Sequence, residues 1–240
     1  MKKTILSLIT LAVSSVAMAQ HPEVGTFSVI PRIGVSIANL GNDKIIVSNS
    51  PASENSFNSR YRTGFTGGVD FDYQFMRNLS VSLGAYYVQQ GCNYKNDFVG
   101  DYDSDISIST GVGYSNWSTQ LQYIQVPLML NAYIAPGVAI KAGVQVGFAL
   151  SGKMKLTEVE YSKDNDGEVV ASKPETKETK LNSTMKSVSF SIPVGFSYEF
   201  ANVILDARYN IGLTPFQKVG EYNGPHNKVF TVTAGYRFAL

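Results

Sequence analysis

The sequence predicts an all-β fold, an eight-stranded antiparallel up-and-down barrel that crosses a membrane with its strands. Three observations predict it. Apolar residues alternate with small or polar ones in eight segments, short turns alternate with long polar connections, and the alternation continues to the last residue. In the final segment, 229–240, the even positions are all apolar and the odd positions are mostly small or polar. A barrel in lipid needs such a closing strand, since an open sheet edge leaves backbone groups without hydrogen bonds.

The chain begins with the features of a secretory signal peptide. Two lysines precede a short apolar run, which ends in the small-residue pattern Ala17-Met18-Ala19 that signal peptidase recognises. Cleavage is therefore expected after Ala19, with residues 1–19 as the signal peptide and residues 20–240 as the barrel domain. A secreted chain with lipid-facing strands belongs in the outer membrane of a Gram-negative bacterium.

The predicted strands each have one apolar face, as the side-chain period of two in a β-strand requires. In chain order they span 27–37, 65–75, 79–87, 123–134, 138–151, 188–200, 203–212 and 229–240. Apolar residues occupy odd positions in the first three strands and the seventh, and even positions in the others. The opposite faces are rich in small residues, which fit the crowded inside of a narrow barrel. A charge at lipid-facing Val144 should thus impair insertion, whereas serine at inward-facing Gly143 should be milder.

The connections between strands alternate between two lengths. The short ones are 76–78, 135–137 and 201–202, and the long polar ones are 39–61, 91–119, 152–186 and 214–227. Short turns at one end and long loops at the other describe an outer-membrane barrel with both termini on the periplasmic side. The alternative is a soluble eight-stranded barrel such as a lipocalin. Its solvated exterior would need more lysine and glutamate than these strands carry.

The inner faces of the predicted barrel carry eight charged residues of balanced sign. They are Arg32, Lys141, Arg208 and Arg237, together with Asp70, Asp72, Glu199 and Asp206. An unpaired charge in a narrow lumen is costly, so a paired network is expected. Eight strands enclose little more than side-chain volume, which favours a structural plug over a selective pore or proton path.

Few residues suggest enzymatic or metal chemistry. The only cysteine, Cys92, excludes an internal disulfide and a thiol metal site, and is expected near the barrel rim. Neither His21 nor His226 lies in a recognisable nucleophile motif. An outer-membrane enzyme would need His226 or Cys92 beside an acid or hydroxyl. No enzymatic activity, cofactor or metal is therefore expected.

The long connections hold two further candidates. Hard oxygen ligands for calcium are available in one of them, but their loose spacing favours a solvated loop. These ligands are Asp97, Asp101, Asp103 and Asp105. The stretch 164–168 begins like an EF-hand but fails the pattern, so a turn is expected there. Tyr114 and Trp117 are either recognition aromatics or part of a girdle at the lipid boundary.

Four segments carry a resemblance to a known family. They are LQYIQVPL at 121–128, DARYNIGL at 206–213, GYRF at 235–238 and QQG at 89–91. In these the chain resembles the PorT-like outer-membrane β-barrel family, over essentially the whole mature sequence. The resemblance implies a small eight-stranded barrel of the OmpA/OmpX shape. One branch of the family is linked to a type IX secretion apparatus, and nothing in this sequence singles out that branch.

The leading functional hypothesis is a structural or surface-binding barrel without a steady open pore. The alternatives are a component of a type IX secretion apparatus, or a small porin or channel. The barrel should contact outer-membrane lipid and lipopolysaccharide, engage the barrel assembly machinery during insertion, and offer its long loops to a protein partner. The formal net charge of +1 gives no reason to expect nucleic acid.

Overall fold

A computed structural model describes residues 22–41, 44–50, 53–101, 110–163, 168–216 and 225–240. For 44–50, 53–58, 97–101 and 110 it describes the backbone only. The expected signal peptide lies outside the described residues. The described part of the chain contains no helix long and apolar enough to cross a bilayer.

The described chain is built from antiparallel β-strands. In order they are β1 (Phe27–Gly41), β2 (Lys44–Ser50), β3 (Ser53–Arg60), β4 (Arg62–Met76), β5 (Leu79–Tyr94), β6 (Asp97–Asp101), β7 (Thr110–Ala135), β8 (Val138–Lys163), β9 (Val169–Ala171), β10 (Glu175–Lys180), β11 (Val188–Phe200), β12 (Val203–Pro215), β13 (His226–Tyr236) and β14 (Phe238–Ala239). Eight of them, β1, β4, β5, β7, β8, β11, β12 and β13, pair in chain order as a ring. The ring closes where β1 pairs with β13, with Val35 opposite Val232. The predicted eight-stranded up-and-down fold is confirmed.

Tight turns join the ring strands at one end. Ala201 and Asn202, between β11 and β12, both have positive φ, at 48° and 66°. Positive φ at both central residues gives a type I′ turn, whose twist matches that of the paired strands. The last strand is interrupted at Arg237, whose backbone N–H donates to the Asn202 carbonyl at 2.8 Å. β14 then continues the pairing with β1.

At the opposite end the sheet continues beyond the ring. β7 and β8 are 26 residues long each, whereas a strand that crosses a membrane needs only about 9–11. β6 pairs with β7, while β9 and β10 pair with β8. β2, β3, β6, β9 and β10 all lie within stretches that the sequence predicts as loops, so that prediction is wrong for these segments.

The wall of the ring has an apolar outside and a mainly polar inside. Ile33, Val144 and Phe196 are 62%, 60% and 60% exposed on the outer face. On the inner face Ser36 and Gln74 are fully buried. The burial alternates with a period of two along β1, β5 and β11. The outer face therefore suits lipid, and the inner face encloses the residues described next.

Candidate functional site

A group of five charged side chains, called here the basic cluster, lies inside the ring. Asp70 Oδ2 accepts a hydrogen bond from Arg208 Nη2 at 2.9 Å and forms an ion pair with Arg32 Nε at 2.8 Å. Asp206 lies 2.6 Å from Arg208 Nε and 2.7 Å from Lys141 Nζ. Its Oδ2 also lies 3.4 Å from Arg32 Nη1. Four strands, β1, β4, β8 and β12, are thereby tied together across the lumen.

A second group, the acidic cluster, lies nearer the tight turns and consists of Asp72, Glu199 and Arg237. Arg237 holds Glu199 with two parallel bonds, Nε to Oε1 at 2.7 Å and Nη2 to Oε2 at 2.9 Å. Its Nη1 donates to Asp72 Oδ1 at 2.9 Å. Ser80 and Asn131 donate to the other Asp72 oxygen at 2.8 and 3.0 Å. The two parallel bonds between Arg237 and Glu199 fix the orientation of the Arg237 guanidinium plane.

The eight interior charges that the sequence singles out thus meet inside the ring, but in two clusters of unequal charge. The basic cluster has three cations and two carboxylates, a surplus of one positive charge. The acidic cluster has one cation and two carboxylates, a surplus of one negative charge. Sequence reasoning gave the overall balance but missed this separation.

Two inner glycines make room for the basic cluster. A Cβ at Gly84 would overlap the Asp70 carboxylate, and a Cβ at Gly235 would lie 2.7 Å from Arg32 Cγ. Both charged groups therefore rest directly on the backbone of a neighbouring strand. The guanidinium of Arg208 also lies over the ring of Tyr86, 5.3 Å from its centroid, which is a cation–π distance.

A layer of uncharged polar side chains borders the basic cluster on the side of the long loops. This polar layer consists of Thr66, Gln125, Gln145, Asn210, Thr231 and Thr233. Together with Tyr86, Val88, Asp206 and Arg208 it encloses a cavity of about 20 Å³. That volume is enough for about one water molecule, which needs roughly 10–15 Å³.

The long-loop end of the ring is filled by apolar side chains, the apolar plug. Its members are Leu40, Cys92, Tyr94, Trp117, Leu121, Tyr123, Leu181, Met185 and Phe216. Leu181 and Met185 come from residues 181–187, called here the lid, which connects β10 to β11. The Leu181 N–H donates to the Gly152 carbonyl at 2.8 Å, and the Lys186 N–H to the Phe216 carbonyl at 2.8 Å. These bonds hold the lid across the end of the ring.

The apolar plug corrects two expectations from the sequence. Trp117 is neither an exposed recognition aromatic nor a girdle residue, since it is 6% exposed and its ring centroid lies 5.2 Å from that of Tyr94. Cys92 is fully buried in the plug rather than placed at the rim. Leu40 and Leu121 continue the inner side-chain period of their strands, which is the signal that would have revealed an apolar inner layer.

The remaining candidate residues are placed as follows. His226 Nδ1 lies 3.2 Å from the Gly212 carbonyl oxygen, and this contact holds the imidazole against the neighbouring strand β12. His21, Asp103 and Asp105 lie outside the described residues, as does most of 164–168. Within the described part of the chain, no three His, Cys, Asp or Glu side chains are grouped to hold a metal ion.

Comparison with known proteins identifies a family and several similar solved structures. The sequence pattern of the family described as outer membrane protein β-barrel domain matches residues 18–218. No curated protein sequence matches the chain. Among solved structures, Ail, the attachment invasion locus protein of Yersinia pestis, is similar at 15% identity and a TM-score of 0.41, covering 90% of this chain and 100% of its own.

Two other solved structures are similar over comparable shares of the chain. Neisserial surface protein A (NspA) is 14% identical with a TM-score of 0.40, over 88% of this chain and 97% of its own. OprG from Pseudomonas aeruginosa is 11% identical with a TM-score of 0.36, covering 90% of this chain and 97% of its own. The family match covers far more than half of the chain. The chain therefore belongs to the outer membrane protein β-barrel domain family, and its ring of strands is an outer-membrane barrel.

Proposed function

We propose that this outer-membrane barrel has a structural or surface-binding role, is not an enzyme, and has no steady open pore. The observation that carries the proposal is the filling of the ring at successive levels. The acidic cluster, the basic cluster and the apolar plug follow one another from the tight turns to the long loops. An eight-stranded barrel has little volume beyond what such side chains occupy.

The energetics of the two clusters support a closed barrel. Asp70 and Asp206 are each 1% exposed, and both bind more than one cation. Separating a buried ion pair leaves an uncompensated charge, at a cost of about 3–5 kcal/mol. A passing ion would have to open several such pairs and then displace apolar side chains. Steady conduction is therefore disfavoured at two independent levels.

The extension beyond the ring supports the surface-binding part of the proposal. β10 presents a charged, exposed strand at the side of β8, and Glu178 lies 3.3 Å from Lys153 Nζ and 3.0 Å from Lys155 Nζ. Hydrogen bonds from Lys155 and Lys153 hold the pKa of Glu178 below its ordinary value. Charges on an edge strand prevent unspecific pairing with other sheets. The extension thus suits a protein partner recognised through polar groups.

The finer assignments belong to the same proposal. The segments 89–91, 121–128, 206–213 and 235–238 support a PorT-like membership, with a signal peptide removed near Ala19. Lipid and lipopolysaccharide around the barrel, and the assembly machinery during insertion, are the partners that any such barrel would meet. No feature of the described residues favours the secretion-linked branch over the general structural role.

Conductance in planar lipid bilayers tests the proposal. The purified mature barrel should show no steady current, with at most rare brief openings, because paired charges and the apolar plug fill the lumen. A channel-forming porin reconstituted in the same bilayers is the positive control. A stable, ion-selective conductance of the wild-type barrel, with a selectivity that changes when Arg208 and Arg237 are replaced, would show that the protein is a channel.

A further inference from the structure

The basic cluster is one counter-charge short. Its three cations and two carboxylates are at most 7% exposed, so water cannot neutralise the surplus. The acidic cluster lies about 7 Å away, since Asp70 and Asp72 are two residues apart on one strand. Its own surplus is held by neutral donors, because Ser80 and Asn131 both donate to Asp72. The surplus positive charge would be balanced by a negatively charged group that accepts hydrogen bonds.

The cavity of about 20 Å³ lies where such a group would fit. Arg208 lines it, and its other walls are mainly the hydroxyls and amides of the polar layer. Thr233 Oγ1 is buried and has no hydrogen-bond partner among the described residues, and the same holds for Asn210 Oδ1. The Asn210 amide can present its N–H₂ group to the cavity in place of its oxygen, because a rotation of 180° exchanges the two atoms.

We propose that this cavity binds a single small monovalent anion, chloride or a similar halide. Hydroxyl and amide donors beside a guanidinium are the partners that an anion requires, and the surplus charge of the basic cluster makes the site electrostatically favourable. The volume admits one particle of about the size of a water molecule, which excludes sulfate and phosphate. Arg208 on the wall excludes a metal cation. Asp206 also lines the cavity, but its charge is offset by the cations bound to it.

Anomalous scattering from bromide tests the site directly. Crystals of the mature barrel grown in sodium bromide should show an anomalous peak inside the cavity, within hydrogen-bond distance of Thr233 Oγ1. A peak that persists when the bromide concentration is lowered to that of physiological chloride supports the proposal. A cavity that holds only water, or bromide confined to the outer surface, would overturn it.

A stability measurement provides the second test. Because a ligand that binds only the folded state stabilises it, the temperature at which the folded gel band disappears should rise with chloride or bromide, relative to gluconate at equal ionic strength. Replacing Lys141 by Met balances the cluster at two cations and two carboxylates, so the halide effect should disappear. Lys153→Met, at a partly exposed position on β8, is the matched control and should keep the effect.

Thr233→Val provides a separate variant in case Lys141→Met does not fold. It leaves the charge surplus in place and removes one donor, so the halide concentration that gives half of the stabilisation should rise about tenfold or more. An equal halide effect in the wild type and in every variant would mean a general salt effect, and the proposed site would be wrong.

Discussion

Val144 and Gly143 are neighbours on β8 that face opposite sides of the barrel wall. Val144 is 60% exposed on the outer face. Gly143 faces inward, where a Cβ would overlap the carbonyl oxygen of Leu128 on the neighbouring strand. The expectation that Gly143→Ser would be milder is therefore not supported, because backbone rather than a movable side chain occupies the space. Both positions resist substitution, but for different physical reasons.

Replacing Val144 by Arg should impair insertion. A cation on the lipid face near the bilayer midplane costs about 2–4 kcal/mol. Val170→Arg is the matched control, because Val170 is 49% exposed on β9, far from the tight-turn end of β8, and should insert like the wild type. The measurement is the fraction of protein that gives the folded, heat-modifiable band in outer-membrane preparations. Equal insertion of the two variants would mean that Val144 does not face lipid.

The interior charges show how much of the barrel lumen can be predicted from the sequence. The period of two selects all eight interior charges, because each lies on the polar face of its strand. It cannot pair them, since Arg208 and Asp70 are 138 positions apart and meet only through ring closure. The division into two clusters depends on the register between strands. Register is a property of the closed sheet, and no local pattern encodes it.

Among the elements, the sequence pattern predicted the ring strands but not where they end on the side of the long loops. The prediction ends the fifth strand at Ser151, whereas β8 continues to Lys163. The alternation of apolar and polar residues reports the contrast between lipid and lumen. Beyond the membrane this contrast disappears, as β10 shows with the sequence ETKETK and exposure on both faces. The strands continue there because backbone pairing continues, without an apolar signature.

The lid is the element whose contribution is simplest to measure. Leu181→Asp would place a charge in the apolar plug, whose described members carry no counter-charge, and should displace the lid. Cys92, the only cysteine, then becomes the reporter: it is fully buried in the plug, and a membrane-impermeant maleimide should label it slowly in the wild type and at least tenfold faster in the variant.

Asn182→Asp is the matched control for the lid. It adds the same charge one residue away, at an exposed position, and keeps the oxygen that accepts from the Gly152 N–H at 2.9 Å. Cys92 should therefore remain protected in this variant. Similar labelling rates in both aspartate variants would mean that Leu181 does not seal the plug.

The molecule as a whole depends on one long-range closure, between the first and last ring strands. β1 pairs with β13 over ten positions, from Arg32 and Gly235 to Gly41 and His226. This pairing joins residues near opposite ends of the chain and removes both free edges of the sheet. Without it, two edges would face lipid with unsatisfied backbone groups, each costing several kcal/mol.

Removal of residues 229–240 should therefore abolish the folded, heat-modifiable band when the protein is refolded into lipid vesicles. Refolding in vitro separates this effect from recognition by the assembly machinery. A chain shortened by residues 20–22, ahead of the start of β1 at Phe27, should refold like the full mature chain. A folded band from the C-terminally truncated chain would show that the ring closes without β13.

The surface extension and the apolar plug share one covalent connection. β10 ends at Lys180 and the lid begins at Leu181, so no linker separates the exposed strand from the side chains that seal the lumen. A partner that pulled on β10 would load the hydrogen bond between Leu181 and Gly152 before any other contact of the plug. Mechanical force on β10 would thus act first on the apolar plug, while the charged clusters deeper in the barrel would remain unstressed.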